Sequence, residues 1–285
     1  MIFVSTGGVK NKTAKETSID FYECGISNIE LSGGIYSATY KQDLVKLSDK
    51  INFQVHNYFP PPRNPFVFNL ASVDIKLRER SIQHVINSMN LAIDLKRPIY
   101  SFHAGFRINP KVTELGQTIK KTTLSDRYST LEIFGESISL LSEEARKKGV
   151  DLLIENNVLN KRNMETFGED PLLLTEPNEI ISFFENIPSN IGLLMDVAHL
   201  KVSSNTLSFD KKNALNSLKK YIKGYHFSDN DGYKDSNGPI SNDSWFWNEI
   251  NKDLDYYSIE VYNVKTSVLF DQYKLVRDKL NFKEE

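Results

Sequence analysis

Apolar positions in this chain follow two alternating rhythms. Short runs of β-branched, aromatic and aliphatic residues stop at polar or glycine-containing turns, and longer stretches with apolar residues three and four apart follow them. The short runs number eight: Ile2 to Ser5, Asn28 to Leu31, Asn52 to His56, Ile99 to His103, Asp151 to Glu155, Gly192 to Asp196, Gly224 to Phe227 and Tyr257 to Val261. Among the longer stretches, Ser72 to Leu95 and Tyr128 to Lys148 have the spacing of amphipathic helices. Near-continuous apolar strands alternating with helices predict a parallel sheet covered by helices, and eight units are the number that closes a barrel. The pattern therefore predicts an α/β fold, a single (β/α)8 TIM barrel over residues 1–285. Two half-size α/β domains would need a linker. The one candidate, Pro60 to Pro65, follows a strand end directly and reads as a long βα loop.

The polar residues are informative because of where the strands stop. The third run ends at His56, the fourth at His103, the fifth at Glu155 and the sixth at Asp196, with His199 three residues on; the seventh carries His226 and the eighth Glu260. A barrel gathers the C-terminal ends of its strands around one mouth, so these six ends predict one cluster. Four of the five histidines fall there, whereas His84 lies within a predicted helix and needs no functional role. A lone strand-end histidine is more often a hydrogen-bonded structural residue than a ligand. A glutamate closing an apolar run is different, because a buried carboxylate must be paired, protonated or bound to a cation. Asp196 also suits the N-cap of the helix that follows it.

Composition narrows the function classes. With 40% hydrophobic and 25% charged residues the chain can bury a sizeable core, and a net charge of -2 gives no global basic field for nucleic acid. Cys24 is the only cysteine, so an internal disulfide is excluded and a buried thiol is expected. With no secretory pattern at the N-terminus and no apolar run of membrane-spanning length, a cytoplasmic location is expected.

Glu155, Asp196, His226 and Glu260 form a mostly oxygen donor set suited to one divalent cation, with Mn²⁺ first and Mg²⁺, Co²⁺ or Zn²⁺ as alternatives. Such an ion polarises a sugar-like carbonyl and eases removal of the adjacent proton. The reading is an isomerase or epimerase of a sugar or sugar derivative, working through an enediolate with Glu155 and Glu260 as the acid/base pair. His56 and His103 with Glu155 as a bridge would add a second metal, which favours Zn²⁺ and phosphodiester hydrolysis instead. A non-catalytic barrel would predict erosion of the acidic ligands, and all are present.

The motifs Glu30-Leu31-Ser32-Gly33-Gly34, Phe102-His103-Ala104-Gly105, Ile154-Glu155-Asn156, Met195-Asp196-Val197-Ala198-His199, His226 to Gly232 and Ile259-Glu260-Val261 resemble, in this order, those of the xylose isomerase-like TIM barrels. That superfamily includes ketose 3-epimerases, hydroxypyruvate isomerase, inosose dehydratase and endonuclease IV. Its epimerase branch implies Glu155, Asp196, His226 and Glu260 as metal ligands, Glu155 and Glu260 as the acid/base pair, and His199 as a substrate-contacting catalytic histidine. An arginine usual in that branch is absent from 228–237, which offers only Lys234. Similarity to endonuclease IV implies a zinc site at His56, His103 and Glu155 and another at the four-residue set. A third site there would use His199, Asp235 and a histidine where this chain has Asn237. The candidate substrate contacts are His56, His103, Glu30, Lys234 and Trp245. Tyr58, Phe59, Phe66, Phe106 and Trp247 are either further pocket walls or ordinary packing. The expected partner is a small carbohydrate-like molecule, with neither nucleic acid nor membrane, and the resemblance makes a homodimer an option.

Overall fold

In the computed structural model, which describes residues 1–114 and 119–282, eight parallel strands pair in chain order and the last pairs with the first. The strands are β1 (Ile2–Ser5), β2 (Asn28–Leu31), β3 (Asn52–His56), β4 (Ile99–His103), β5 (Asp151–Glu155), β6 (Ile191–Asp196), β7 (Ile222–Phe227) and β8 (Tyr257–Ile259). Around them lie α1 (Ala14–Glu23), α2 (Tyr40–Leu47), α3 (Ile75–Asp94), α4 (Arg127–Lys148), α5 (Lys161–Phe167), α6 (Pro177–Asn186), α7 (Val197–Leu207), α8 (Lys211–Leu218) and α9 (Thr266–Leu280). This is the expected (β/α)8 TIM barrel.

Local chemistry sets the element ends. Thr13 and Glu16 form a reciprocal capping box at the start of α1, a device worth about 1 kcal/mol. Asp74 caps α3 by accepting from two amides. Gly149 stops α4 in the left-handed conformation (φ 66) that a side chain would disfavour. The strands β6 and β7 begin one and two residues before the apolar runs, because exposed Lys223 hides the continuation of β7 back to Ile222. The regular strand β8 ends at Ile259, although the Glu260 amide still donates to the Phe227 carbonyl at 2.9 Å.

One unit departs from the alternation. Among the described residues no α-helix connects β7 to β8 across 228–256. Turn chemistry dominates its first half. Gly232 and Asn237 have positive φ, and the Asp231 carboxylate accepts from the amides of Tyr233 and Lys234. Phe246 covers β7 where a helix would have packed, fully buried with its ring stacked 5.2 Å from Phe227. The proline-rich stretch lies, as expected, in the loop between β3 and α3, pinned by buried Phe59, Phe66 and Phe68. Cys24 is exposed rather than buried, because it caps α1 at the surface. Among the described residues no helix is long and apolar enough to cross a membrane.

Parallel pairing puts every strand's C-terminal end on one rim. The register places His103 beside Glu155 and Asp196 beside His226.

Candidate metal centre

Glu155 stands at the middle of the rim with its two oxygens facing different neighbours. Oε1 lies 3.3 Å from His226 Nδ1 and 3.5 Å from His199 Nδ1; Oε2 lies 3.3 Å from His56 Nε2 and 3.4 Å from His103 Nδ1. Neither oxygen has a hydrogen-bond partner, and the residue is completely buried.

The other members each attach one atom to the scaffold and leave a second facing inward. Asp196 Oδ1 accepts from the amides of Ala198 and His199, both at 2.7 Å, so it does cap α7; its Oδ2 is left buried without a partner. Capping and ligation are thus divided between the two oxygens of one carboxylate. Glu260 Oε1 accepts from Ser5 at 3.1 Å and from Tyr262 at 2.9 Å, and its Oε2 faces His226 Nδ1 at 3.5 Å. The Tyr262 ring reaches this position because Gly7 has no side chain: a Cβ there would stand 2.3 Å from the tyrosine oxygen. His226 Nε2 is 3.1 Å from Glu30, and its Nδ1 is another buried atom without a hydrogen bond.

Buried polar atoms without partners are rare, and here they converge. Glu155, Asp196, His226 and Glu260 each offer a donor atom within 4.8 Å of the others, as do His56, His103 and Glu155. Two ligands on opposite sides of one ion stand about 4 to 4.5 Å apart, since each bond is about 2.0–2.2 Å, so a cation fits the first set with small inward movements. The oxygen-rich composition of that set suits a hard divalent ion.

Without a cation, the carboxylates and imidazoles must neutralise one another. Burial pushes Glu155 up, but the imidazoles of His103, His226 and His56 outweigh it and hold the carboxyl well below its usual range. Glu260 is likewise raised by burial but brought down to about 2, chiefly by His226. Burial dominates at Asp196, which rises to about 7 despite His199. His226 and His199 lose their charge preference to burial and more than regain it from their acidic neighbours, so both sit well above the ordinary imidazole value. An imidazolium here does by protonation what a metal ion would do by charge.

The remaining candidates divide. His199 belongs to the cluster: its Nδ1 donates to the Asn156 carbonyl at 2.9 Å, and its Nε2 lies 3.4 Å from Asp235 and 3.8 Å from Asp196. Asp235 is therefore brought to His199 as the endonuclease pattern implied, with Asn237 where a third ligand would stand. His103 is the most open of these histidines, its side chain 28% exposed. Lys234 is exposed, next to Asp235 in sequence. Two more of the expected substrate contacts have neighbours of their own. Glu30 is fully buried on the edge of His226 away from Glu155, with Oε1 partnerless, and it offers a donor atom within 4.8 Å of atoms of His56, His226 and Glu260. Trp245 is engaged by Phe246 and by the Lys211 ammonium, 5.5 Å from its ring centroid, and by no member of the cluster. Tyr58 and Phe66 pack with His84, and Trp247 packs on Phe227 and Phe246. Phe106 is half-buried and pairs with Leu172.

Ser5, Ser101, Tyr256 and Tyr262, which hold the cluster from outside, were not selected from sequence. A polar residue within an apolar strand run, as at Ser101 two positions before His103, was the available signal.

The fold resembles several solved sugar enzymes. The crystal structure of a D-tagatose 3-epimerase-like protein superposes with a TM-score of 0.74 at 18% identity, over 98% of this chain and 97% of that one. D-psicose 3-epimerase from Clostridium cellulolyticum H10, solved with D-tagatose, gives 0.63 at 16% identity over 100% and 92%. In sequence, a probable endonuclease 4 of Sulfurihydrogenibium sp. (strain YO3AOP1) is 26% identical over 162 residues, 56% of this chain and 49% of that protein. The match thus spans about half the length of that curated relative. The family model described as the xylose isomerase-like TIM barrel matches residues 14–258, and with that span the chain belongs to this family.

Proposed function

We propose that this protein is a divalent-metal-dependent isomerase or epimerase of a sugar or sugar derivative. The observation that carries the reading is the convergence of Glu155, Asp196, His226 and Glu260 on one point, with partnerless buried atoms on the first three. These four residues would hold the ion, with Mn²⁺ the best match to the donor set. When bound, it would supply Lewis-acid polarisation of a substrate carbonyl and its neighbouring hydroxyl oxygen.

The chain's own residues would do the proton work. Glu155 and Glu260 both face His226 Nδ1, at 3.3 and 3.5 Å, and both are held ionised, so each starts as a proton acceptor. One takes the proton from the carbon beside the carbonyl, giving an enediolate; the other, once it has bound a proton from solvent, returns it on the second face, and the first then releases its proton to solvent. His199, anchored by Asn156 and charged by its acidic neighbours, would donate to a substrate oxygen. The shared fold of a D-tagatose 3-epimerase-like protein and of a D-psicose 3-epimerase solved with D-tagatose supports a substrate of this class. The reading includes a single domain over residues 1–285, acting in the cytoplasm.

A second reading is a zinc-dependent phosphodiester hydrolase acting on abasic DNA. It is favoured by the Glu155 geometry, in which Oε2 faces His56 and His103 while Oε1 faces the other set, as a carboxylate bridging two ions would. The 26% identity to the probable endonuclease 4 supports it too. Elemental analysis of protein purified without added metal separates the two. About one Mn, Co or Mg per chain with turnover on a ketose and aldose panel supports the isomerase; two or more zincs with cleavage of abasic DNA sinks it.

A further inference from the structure

The edges of His226 and His56 that face away from Glu155 are joined by one buried chain of hydrogen bonds. His226 Nε2 is 3.1 Å from Glu30 Oε2, and that same oxygen accepts from the Tyr256 hydroxyl. Tyr256 Oη is 3.0 Å from Ser101 Oγ, and Ser101 Oγ is 2.9 Å from His56 Nδ1. All five residues are buried, and they come from β2, β3, β4, β7 and the residue before β8.

Counting protons gives this chain a direction. A carboxylate oxygen only accepts, so Tyr256 spends its single hydroxyl proton on Glu30. Ser101 must then donate to Tyr256, which spends its proton in turn. The Ser101 oxygen is left as an acceptor, so His56 carries a proton on Nδ1. At the other end, His226 carries a proton on Nε2 because it too donates to Glu30. We infer that Glu30 is a positioning residue which, through Tyr256 and Ser101, leaves His226 Nδ1 and His56 Nε2 as the nitrogens available to a cation. One carboxylate outside the set of Glu155, Asp196, His226 and Glu260, its other oxygen free to face a cation with His56, His226 and Glu260, thereby prepares the imidazoles on both sides of Glu155. Those two nitrogens face carboxylate oxygens at 3.3 to 3.5 Å. A lone pair facing a carboxylate is repulsive unless a cation or a second ring proton lies between, so the network orders the pocket for positive charge.

The use of this network rests on the metal-centre reading, but its existence can be tested apart from it. Histidine ¹⁵N–¹H spectra would be recorded on the protein as purified, together with zinc titration, for the wild type, Tyr256→Phe and Ser101→Ala. The wild type should show a protonated Nδ1 on His56. Either variant should release that preference while leaving His226 Nε2 protonated, and zinc uptake at His56 should weaken by roughly 10–100-fold, the usual effect of removing a partner behind a histidine ligand. Uptake at the set containing Asp196 and Glu260 should stay near the wild-type value. Ser101→Ala is the smaller change and guards against loss of fold in Tyr256→Phe. A His56 protonated on Nε2 in the wild type, or unchanged in both variants, overturns the inference. Expected spectra with no zinc uptake would overturn the metal reading and leave the network standing.

Discussion

The two sides of Glu155 are built differently. On one side, Asp196, Glu260 and His226 each have a second atom fixed by the scaffold: two amides, two hydroxyls and the Glu30 carboxylate respectively. On the other side His56 is fixed through Ser101, but no hydrogen bond holds His103 among the described residues, and its ring reaches the solvent. A ligand whose rotamer is already fixed loses little entropy on binding an ion, whereas a free one must be ordered first. The comparison teaches that the oxygen-rich side is ordered in advance, as the proposed resident cation would need, whereas the imidazole side would hold a ligand more weakly.

Glu155→Gln attacks both sides at once and should have the largest effect. Turnover should fall by roughly 10³-fold or more, since it removes an acid/base group and a shared ligand together. Full activity in this variant, measured on whichever substrate the wild type turns over, would refute the assignment. Asp196→Asn is the next in size and affects one side only. Asparagine still caps α7, so thermal stability should change little, while metal content on the oxygen-rich side drops by roughly 10–100-fold. Unchanged metal content would instead mean that capping, not ligation, is what Asp196 does. His103→Asn sharpens the comparison further. Under the isomerase reading it costs about tenfold or less in turnover and leaves one metal per chain; under the two-metal reading it is as damaging as Glu155→Gln.

Much of this was legible because a parallel barrel has simple rules. Apolar runs mark strands that are covered on both faces, and their last residues share a rim, so Glu155, Asp196, His226 and Glu260 could be grouped from spacing alone. The connection from β7 to β8 was less legible, since Phe246 and Trp247 have the hydrophobicity of a helix face but sit among residues that favour turns. The placements of Glu30 and Trp245 were not legible at all. Whether a strand residue points over the mouth or down the barrel depends on strand tilt and register, and whether a tryptophan meets substrate or a helix depends on a loop's path. Tyr256 and Ser101 are ordinary residues whose role comes only from whom they touch.

The fifth histidine supplies a control for His226 and His199. His84 is buried like the cluster histidines, but it is boxed by the rings of Tyr58, Phe66 and Phe68 with Arg80 nearby and no carboxylate. Burial therefore lowers it from 6.5 to about 4 with nothing acidic to restore it, opposite in direction to His226 and His199. The sign of its stability effect follows. Above pH 6.5 the residue is neutral whether folded or unfolded and costs nothing. As pH falls from 6.5 towards 4 the unfolded chain takes up the proton and the folded one resists it, so the fold loses stability, by at most about 3 to 4 kcal/mol at 1.36 kcal/mol per pH unit. His84→Gln keeps a donor for the Asn57 carbonyl, which His84 Nε2 now meets at 3.3 Å, and has no such proton to gain. Denaturant unfolding of metal-free wild type and variant at several pH values should show the wild type losing more stability across this window. The cluster titrates in both proteins and cancels in the difference, so equal slopes would mean that burial alone does not suppress a histidine's charge in this barrel, and that the contrast of His84 with His226 and His199 is unfounded.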